Sequence, residues 1–344
     1  MNLMLIFSIF LCISLHTSLF CKPNYVVCID GGGSKTLLQV TDNHGKVLPL
    51  QWDGTSTEKI EAAGCNVNDI GKEGVRQTLC TLFNDVQVDD QSLSALLPDC
   101  QVIACFAGIG APQSRAIVLS LLEDRGIKQE HLTLLTDAEA ALQLIKENGA
   151  ILISGTGSIC MAKKGQNSYR VGGLGKIIGD DGSGYSIGLQ AIKAGLEEEY
   201  GYGRQTSLTQ ALKELYGVSD LKSLIRPITL GEVPAAKIAV AAPIVFEKAF
   251  DEHDAVASMI ITMAAYDLRD LVEKMITTAN LSQCEVHLWG SVFKNKHTDS
   301  FLQKVSSDLM RERNIKIVNQ AHHNVALLLA QRILLDQKNG SLNL

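Results

Sequence analysis

Nine cysteines are scattered through this 344-residue chain without a single C-x-x-C pair. That lack argues against a zinc ribbon or a dithiol redox motif. Thiols placed inside apolar runs suit reduced, buried side chains of a cytosolic protein better than a disulfide framework. Basic excess is lacking too: the formal net charge is −6, which argues against nonspecific nucleic-acid binding. No low-complexity linker interrupts the sequence. With 46% hydrophobic and 20% charged residues, a real buried core is expected, and the length leaves room for two domains of ordinary size.

Residues 1–22 form an apolar leader with no Lys or Arg ahead of its apolar run. Leu19-Phe20-Cys21 also lacks the small residues of a cleavage site, so the segment reads as a possible signal or anchor, or as an upstream start. The folded body is expected to begin near Tyr25 and to reside in the cytoplasm, with membrane association only if the leader is a true anchor.

What is abundant is glycine in particular places. Val26-Val27-Cys28-Ile29 is an apolar, β-rich run that stops at Asp30, turns through Gly31-Gly32-Gly33-Ser34, and resumes as Lys35-Thr36-Leu37-Leu38-Gln39-Val40. A P-loop or dinucleotide fingerprint would open a helix at this point. Here the chain returns as a strand, so the glycines form a hairpin tip able to present bare N–H groups to phosphate, or serve simply as a turn. Residues 149–162 repeat the plan: an apolar strand, Ser154-Gly155-Thr156-Gly157-Ser158, and a returning strand. Two such units suggest related half-molecules, each supplying one loop to a shared cleft. Helical periodicity is read over 71–84, 114–125, 188–200, 208–216, 235–251, 254–280 and 324–336. Strands are read over 101–108, 132–137, 285–289 and 315–318, and the alternation implies an α/β architecture.

Asp137 closes a buried strand and opens a helix. An acid there points into the crevice where α/β proteins bind ligands and suits a general base; it equally suits a helix N-cap. Residues 172–184 carry more glycine than an ordinary element needs, with Asp180 and Asp181 adjacent. Carboxylates amid free backbone suit sugar hydroxyls or a magnesium ion held partly through water, whereas the acid spacing does not fit a calcium loop. Asn66 precedes a helix and reads as a ligand contact or a cap. His322-His323 reads as a solvated turn.

Together these motifs resemble the N-acetylglucosamine kinase and BadF-type ATPase family, within the actin and hexokinase superfamily, from about Tyr25 to Ala330. The resemblance implies an α/β, duplicated actin-like (ribonuclease H-like) fold of two domains around a nucleotide cleft. The first would be 23–147, joined by a C-terminal helix 322–340, and the second 148–321. It implies ATP and Mg²⁺ as cofactors, with Asp30, Gly31, Gly32, Gly33, Ser34, Lys35 and Thr36 as first phosphate loop. Gly155, Thr156 and Gly157 would form the second loop, Gly290, Ser291 and Asn295 the adenosine turn, and Asp30 would hold the metal through water. Asp137 would deprotonate the 6-hydroxyl of an amino sugar, N-acetylglucosamine foremost, with Asn66, Ser158, Gly173, Leu174, Gly175, Lys176 and Asp180 holding it. Leu174 stands where the family has Trp, and Ile159 where N-acetylglucosamine kinases have Asn; Asp181 for Glu and Thr136 for Asn are milder departures. The resemblance leaves two other outcomes: an ATPase activator of a reductase, which needs a cysteine-held iron–sulfur cluster, and a non-catalytic sugar sensor. A homodimer through the helical second half is expected.

Overall fold

The structure is a computed structural model that describes residues 24–321 and 323–338. The leader, His322 and the extreme ends of the expected 322–340 helix lie outside the described residues. Among the described residues no helix is long and apolar enough to cross a membrane.

Two five-stranded sheets carry the chain. The first is built from β1 (Tyr25–Gly31), β2 (Lys35–Asp42), β3 (Ile60–Ala63), β4 (Gln101–Phe106) and β5 (Leu132–Leu135), in the order β3-β2-β1-β4-β5. The second uses β6 (Asn148–Ser154), β7 (Ser158–Lys164), β8 (Asn167–Gly172), β9 (Glu285–Trp289) and β10 (Lys316–Asn319), in the order β8-β7-β6-β9-β10. Polarity repeats as well as order. In each sheet the first two strands in sequence form an antiparallel hairpin, the next strand in sequence adds antiparallel to the hairpin, and the last two run parallel to the first. The second half therefore repeats the first in architecture. Each glycine motif sits at a hairpin tip, with Gly31 opposite Thr36 and Ser154 opposite Ser158.

The helices relevant to the site are α1 (Val67–Phe83), α2 (Pro112–Glu123), α3 (Asp137–Gln143), α4 (Gly184–Glu199), α5 (Ala235–Ala239), α6 (Ala242–Phe250), α7 (Ala255–Thr278) and α8 (Val325–Lys338). Three apolar clusters result. One lies under the first sheet around Leu38, Leu79 and Phe106, and another under the second sheet around Leu152, Leu268 and Phe293. The third joins the sheets: Val26, Cys28, Ile103 and Cys105 from the first, Ile151 and Trp289 from the second, with α3 and α8 between them. A small additional sheet, Leu50–Trp52, Thr55–Thr57, Gln87–Val88 and Gln91–Ser92, covers one end of the first half.

Local details depart from the sequence periodicity: the helix expected from 188 starts at Gly184, and the strand expected over 132–137 ends at Leu135 with Asp137 already helical. α1 is two helical pieces joined at a kink: Asn66 caps a short first piece from Val67, the chain leaves helical geometry at Gly71 (φ 66°), and the helix expected over 71–84 runs on from there to Phe83. Residues 235–251 are two helices, α5 and α6, since Pro243 lacks the amide that a continuous helix needs and sits where a new helix starts.

Candidate active site

The two glycine tips meet. The Ser34 hydroxyl lies 2.9 Å from that of Thr156, and a Cβ placed on Gly33 would lie 2.7 Å from Thr156 Oγ1. Each tip is held by its own half. The Cys65 amide donates to Gly32 O at 2.9 Å and the Ala107 amide to Gly31 O at 2.7 Å; the Gly184 amide donates to Gly155 O at 2.8 Å. A Cβ on Gly64 would overlap the Gly33 carbonyl, so only glycine lets β3's end approach the loop this closely. Among the described residues, the amides of Gly33, Ser34, Thr156 and Gly157 donate to no acceptor. Unpaired amides converging from two tips make an anion-binding concavity.

Two carboxylates stand beside this concavity. Asp30 ends β1 on the face shared with Val26 and Cys28, and its Oδ2 accepts the Val325 amide of α8 at 3.3 Å. Burial pushes its carboxyl up to about 6, helped by the charge of Asp137 and opposed by the Val325 amide, Lys294 and Lys35. Asp137 is the first helical residue of α3. The cap is its neighbour: Thr136 Oγ1 accepts the Glu139 amide at 3.0 Å, and Glu139 Oε2 accepts the Thr136 amide at 2.8 Å. Arg115 fixes that turn by donating to Leu134 O at 2.8 Å and to Glu139 Oε2 at 2.9 Å. The capping alternative for Asp137 thus falls to Thr136, and Asp137 is left with one local bond, from the Ala138 amide at 2.9 Å. Burial raises its carboxyl above the ordinary range.

Across the cleft lies the glycine-rich loop 172–184. Arg170 donates from Nε to Gly172 O at 3.2 Å and from Nη2 to Gly173 O, fixing where the loop leaves β8. Asp180, at φ 60°, accepts the Ser158 amide at 3.2 Å, and the Ser158 hydroxyl donates to Asp181 O at 2.7 Å. The loop is therefore tied to the second glycine tip. Leu174 is 61% exposed, and Ile177 and Ile178 project still further into solvent; Gly175 and Lys176 lie between them on the same turn. Facing the loop is the first turn of α1. The Asp69 carboxyl is raised by burial with the Lys176 charge opposing, and Asp180 is raised by burial with contributions from Asp181 and Asp69. Next to Asp69, the Asn68 side chain donates to Gly108 O at 2.7 Å and accepts from Ser114 Oγ at 2.8 Å.

Two expected contacts are engaged inside the protein. Asn66 caps α1, its Oδ1 accepting the Asn68 amide at 3.1 Å. Asn295 closes its own turn, donating to Val292 O at 2.7 Å and accepting the His297 amide at 2.8 Å. Gly290 and Ser291 sit directly against the second tip: at φ 103°, Gly290 brings its Cα under the Ser154 carbonyl, where a Cβ would overlap. Lys35 is drawn sideways into an ion pair with Glu61 at 3.0 Å, and the Thr36 hydroxyl donates to Ala63 O at 2.8 Å.

The sequence reading passed over Asn68, Asp69, Arg115, Arg170 and Lys294. Asp69 and Asn68 directly follow a recognised residue, so proximity to Asn66 was an available signal. Arg170 binds Gly172 and Gly173 at the start of the recognised glycine-rich loop, so that signal was also available, whereas Arg115 and Lys294 meet neighbours distant in sequence.

Comparison with known proteins gives the family and relatives of this chain. The N-acetylmuramic acid/N-acetylglucosamine kinase of Clostridium acetobutylicum is 34% identical over 225 residues, spanning 64% of this chain and 69% of that protein. The N-acetyl-D-glucosamine kinase of Dictyostelium discoideum is 27% identical over 231 residues, 64% of this chain and 70% of its own. In fold, the chain matches a Chromobacterium violaceum structure described provisionally as an N-acetylglucosamine kinase, with TM-score 0.66 and 21% identity over 90% of this chain and 100% of that one. Residues 27–328 match the BadF/BadG/BcrA/BcrD ATPase family, a span that runs from β1 through both glycine tips and into α8. The chain belongs to the BadF/BadG/BcrA/BcrD ATPase family.

Proposed function

We propose that this chain is an ATP-dependent kinase that phosphorylates the 6-hydroxyl of an amino sugar, N-acetylglucosamine foremost, with Asp137 as base. The observation that carries the reading is the pairing of two touching glycine tips, rich in unpaired amides, with a half-buried acid just past β5 in the same sheet as the first tip. The kinase names of the relatives point the same way. In this reading the domains are those expected from the sequence, 23–147 with the closing helix and 148–321, and they close on the substrates.

Chemically, the tip amides hold phosphate oxygens, and Asp137 orients the acceptor hydroxyl and takes its proton as the sugar oxygen bonds to the γ-phosphorus and the bond from that phosphorus to the bridging oxygen breaks, ADP leaving with the electron pair. A carboxyl raised by burial is a stronger base than a solvated one, which suits that task. Asp180, with the backbone at Gly173, Gly175 and Lys176, holds the sugar, and Leu174 lies over it. Positioning and electrostatics supply most of the acceleration, and closure excludes the water that would otherwise compete as acceptor. Among the described residues no three metal-ligating side chains converge. Magnesium is held by one or two carboxylates, waters and substrate phosphates. Asp30 fits as its protein anchor, because a half-buried carboxylate pressed by a second acid gains from a cation. When bound, the ion neutralises charge developing on the phosphates.

A coupled ADP-release assay across N-acetylglucosamine, glucosamine, N-acetylmuramic acid, glucose and N-acetylmannosamine tests the proposal. Turnover with the amino sugars is expected. ATP binding with no release for any of the five would refute the kinase and favour the sensor. The proposed assembly is a homodimer through the second half, where Met259, Met263 and Tyr266 leave apolar surface on one face of α7. A monomer by analytical ultracentrifugation would refute it.

A further inference from the structure

The kinase reading leaves one charged side chain in the cleft without a task. Lys294 ends the single 3₁₀ turn Ser291–Lys294 that follows β9. That turn is rigidly mounted. Gly290 is tucked under the Ser154 carbonyl, Val292 and Phe293 are buried, Asn295 Nδ2 donates to Val292 O at 2.7 Å, and Asn319 Nδ2 donates to Phe293 O at 3.0 Å. The mount therefore moves with the strand that carries the second glycine tip. Among the described residues the Lys294 ammonium forms no ion pair and no hydrogen bond, although the side chain is half-buried.

Burial is the first cause that holds this ammonium below the ordinary lysine range, and its charged neighbours are of both signs. Lys35 and Lys59 press on it, and Asp30 and Glu61 oppose them. Glu61 is already paired with Lys35 at 3.0 Å, and Asp30 is itself half-buried beside Asp137. The result is a partly desolvated positive charge carried on a turn that packs against the second glycine tip, a placement that is costly unless an anion completes it. A compact ammonium on a flexible stem is well suited to one oxygen of a phosphate chain.

We propose that Lys294 is a phosphate-binding residue, delivered from the second half to take an oxygen of the nucleotide's terminal phosphates opposite the first glycine tip. The assignment rests on the reading of the cleft as an ATP site. It identifies an element outside both glycine motifs that makes binding depend on phosphate, and it gives the turn after β9 a role beyond the nucleoside. The competing role is purely structural, with the Lys294 charge offsetting that of Asp30 to stabilise the fold.

Calorimetric titration of wild type, Lys294→Met and Lys294→Arg with ATP and with adenosine separates the two. Expected for Lys294→Met is ATP affinity weaker by roughly 10- to 100-fold, as for loss of a hydrogen bond to a charged group. Adenosine affinity and the KM for sugar should stay at wild-type values, and Lys294→Arg should recover most of the loss. Unchanged ATP affinity in Lys294→Met, or equal weakening of ATP and adenosine, overturns the assignment while leaving the kinase reading intact. Wild type that binds no ATP overturns both.

Discussion

Replacing Asp137 by Asn should separate chemistry from binding and folding, because the structure gives this carboxylate so few other duties. Oδ1 accepts only the Ala138 amide, which an Asn oxygen can also accept. The cap of α3 resides in Thr136 and Glu139, and Arg115 braces Glu139; none of these is touched. An acidic group in the first turn of a helix contributes about 0.3–1 kcal/mol through the helix dipole. That loss is offset in part by relief of Asp30, which Asp137 now pushes upward. Net stability should change by less than about 1 kcal/mol, a Tm shift of no more than a few degrees. Turnover should fall by roughly 10²- to 10⁴-fold, the range for removing a general base. With Asp137 neutral, the Asp30 carboxyl should titrate below its present value of about 6. The assays are coupled ADP release, calorimetric titration with N-acetylglucosamine, and thermal melting, each on wild type and Asp137→Asn. Near-normal turnover refutes the base, and sugar affinity lost in step with turnover makes Asp137 a binding group only.

Asp30→Asn tests a trade-off between stability and function. A carboxyl near 6 in the native state and about 4 when unfolded favours folding at low pH, and that contribution is lost as pH rises through 6. The substitution should therefore stabilise the ligand-free protein at pH 7.5 by up to about 3 kcal/mol, have little effect at pH 4, and abolish turnover; equal melting at both pH values against wild type would contradict this. Gly64→Ala drives a methyl group into the Gly33 carbonyl, so it should cost about 1–3 kcal/mol of stability and raise the KM for ATP more than that for sugar. Leu174→Trp should lower the KM for N-acetylglucosamine by about 3- to 10-fold by stacking on the sugar ring, and an unchanged or higher KM would place residue 174 outside the sugar site.

The features most legible in the sequence were those written locally. Glycine bracketed by β-branched runs gives a hairpin tip wherever it occurs, which is why the ends of β1 and β6 could be read in advance, and with them the duplicated architecture. The strand over 285–289 and the helix over 208–216 agreed with the structure to the residue because apolar spacing and breakers coincide there. The helix over 71–84 was legible, but the short piece ahead of the Gly71 kink was not, because its cap at Asn66 is a hydrogen bond that periodicity does not record. The small sheet from Leu50 to Ser92 went unread because strands of two or three residues carry no period. In the site, the acids and glycines stood out by composition. Asp69 opposite Lys176, Arg115 on Glu139, and Lys294 near Asp30 acquire meaning only through contacts between segments far apart in the chain.

Helix α8 has a consequence for how the protein is made. It supplies Val325, Ala326, Leu329 and Ala330 to the cluster that covers one face of β1 and β4, and its first amide holds Asp30. The ribosome delivers β1 first and α8 last, with the whole second half between them, an interval of roughly 15–60 s at ordinary translation speeds. Until then the nascent first sheet exposes Val26, Cys28, Ile103 and Cys105. A growing chain in that condition is a natural client for a holding chaperone, and Asp30 receives its Val325 amide only after synthesis has passed through nearly every other element.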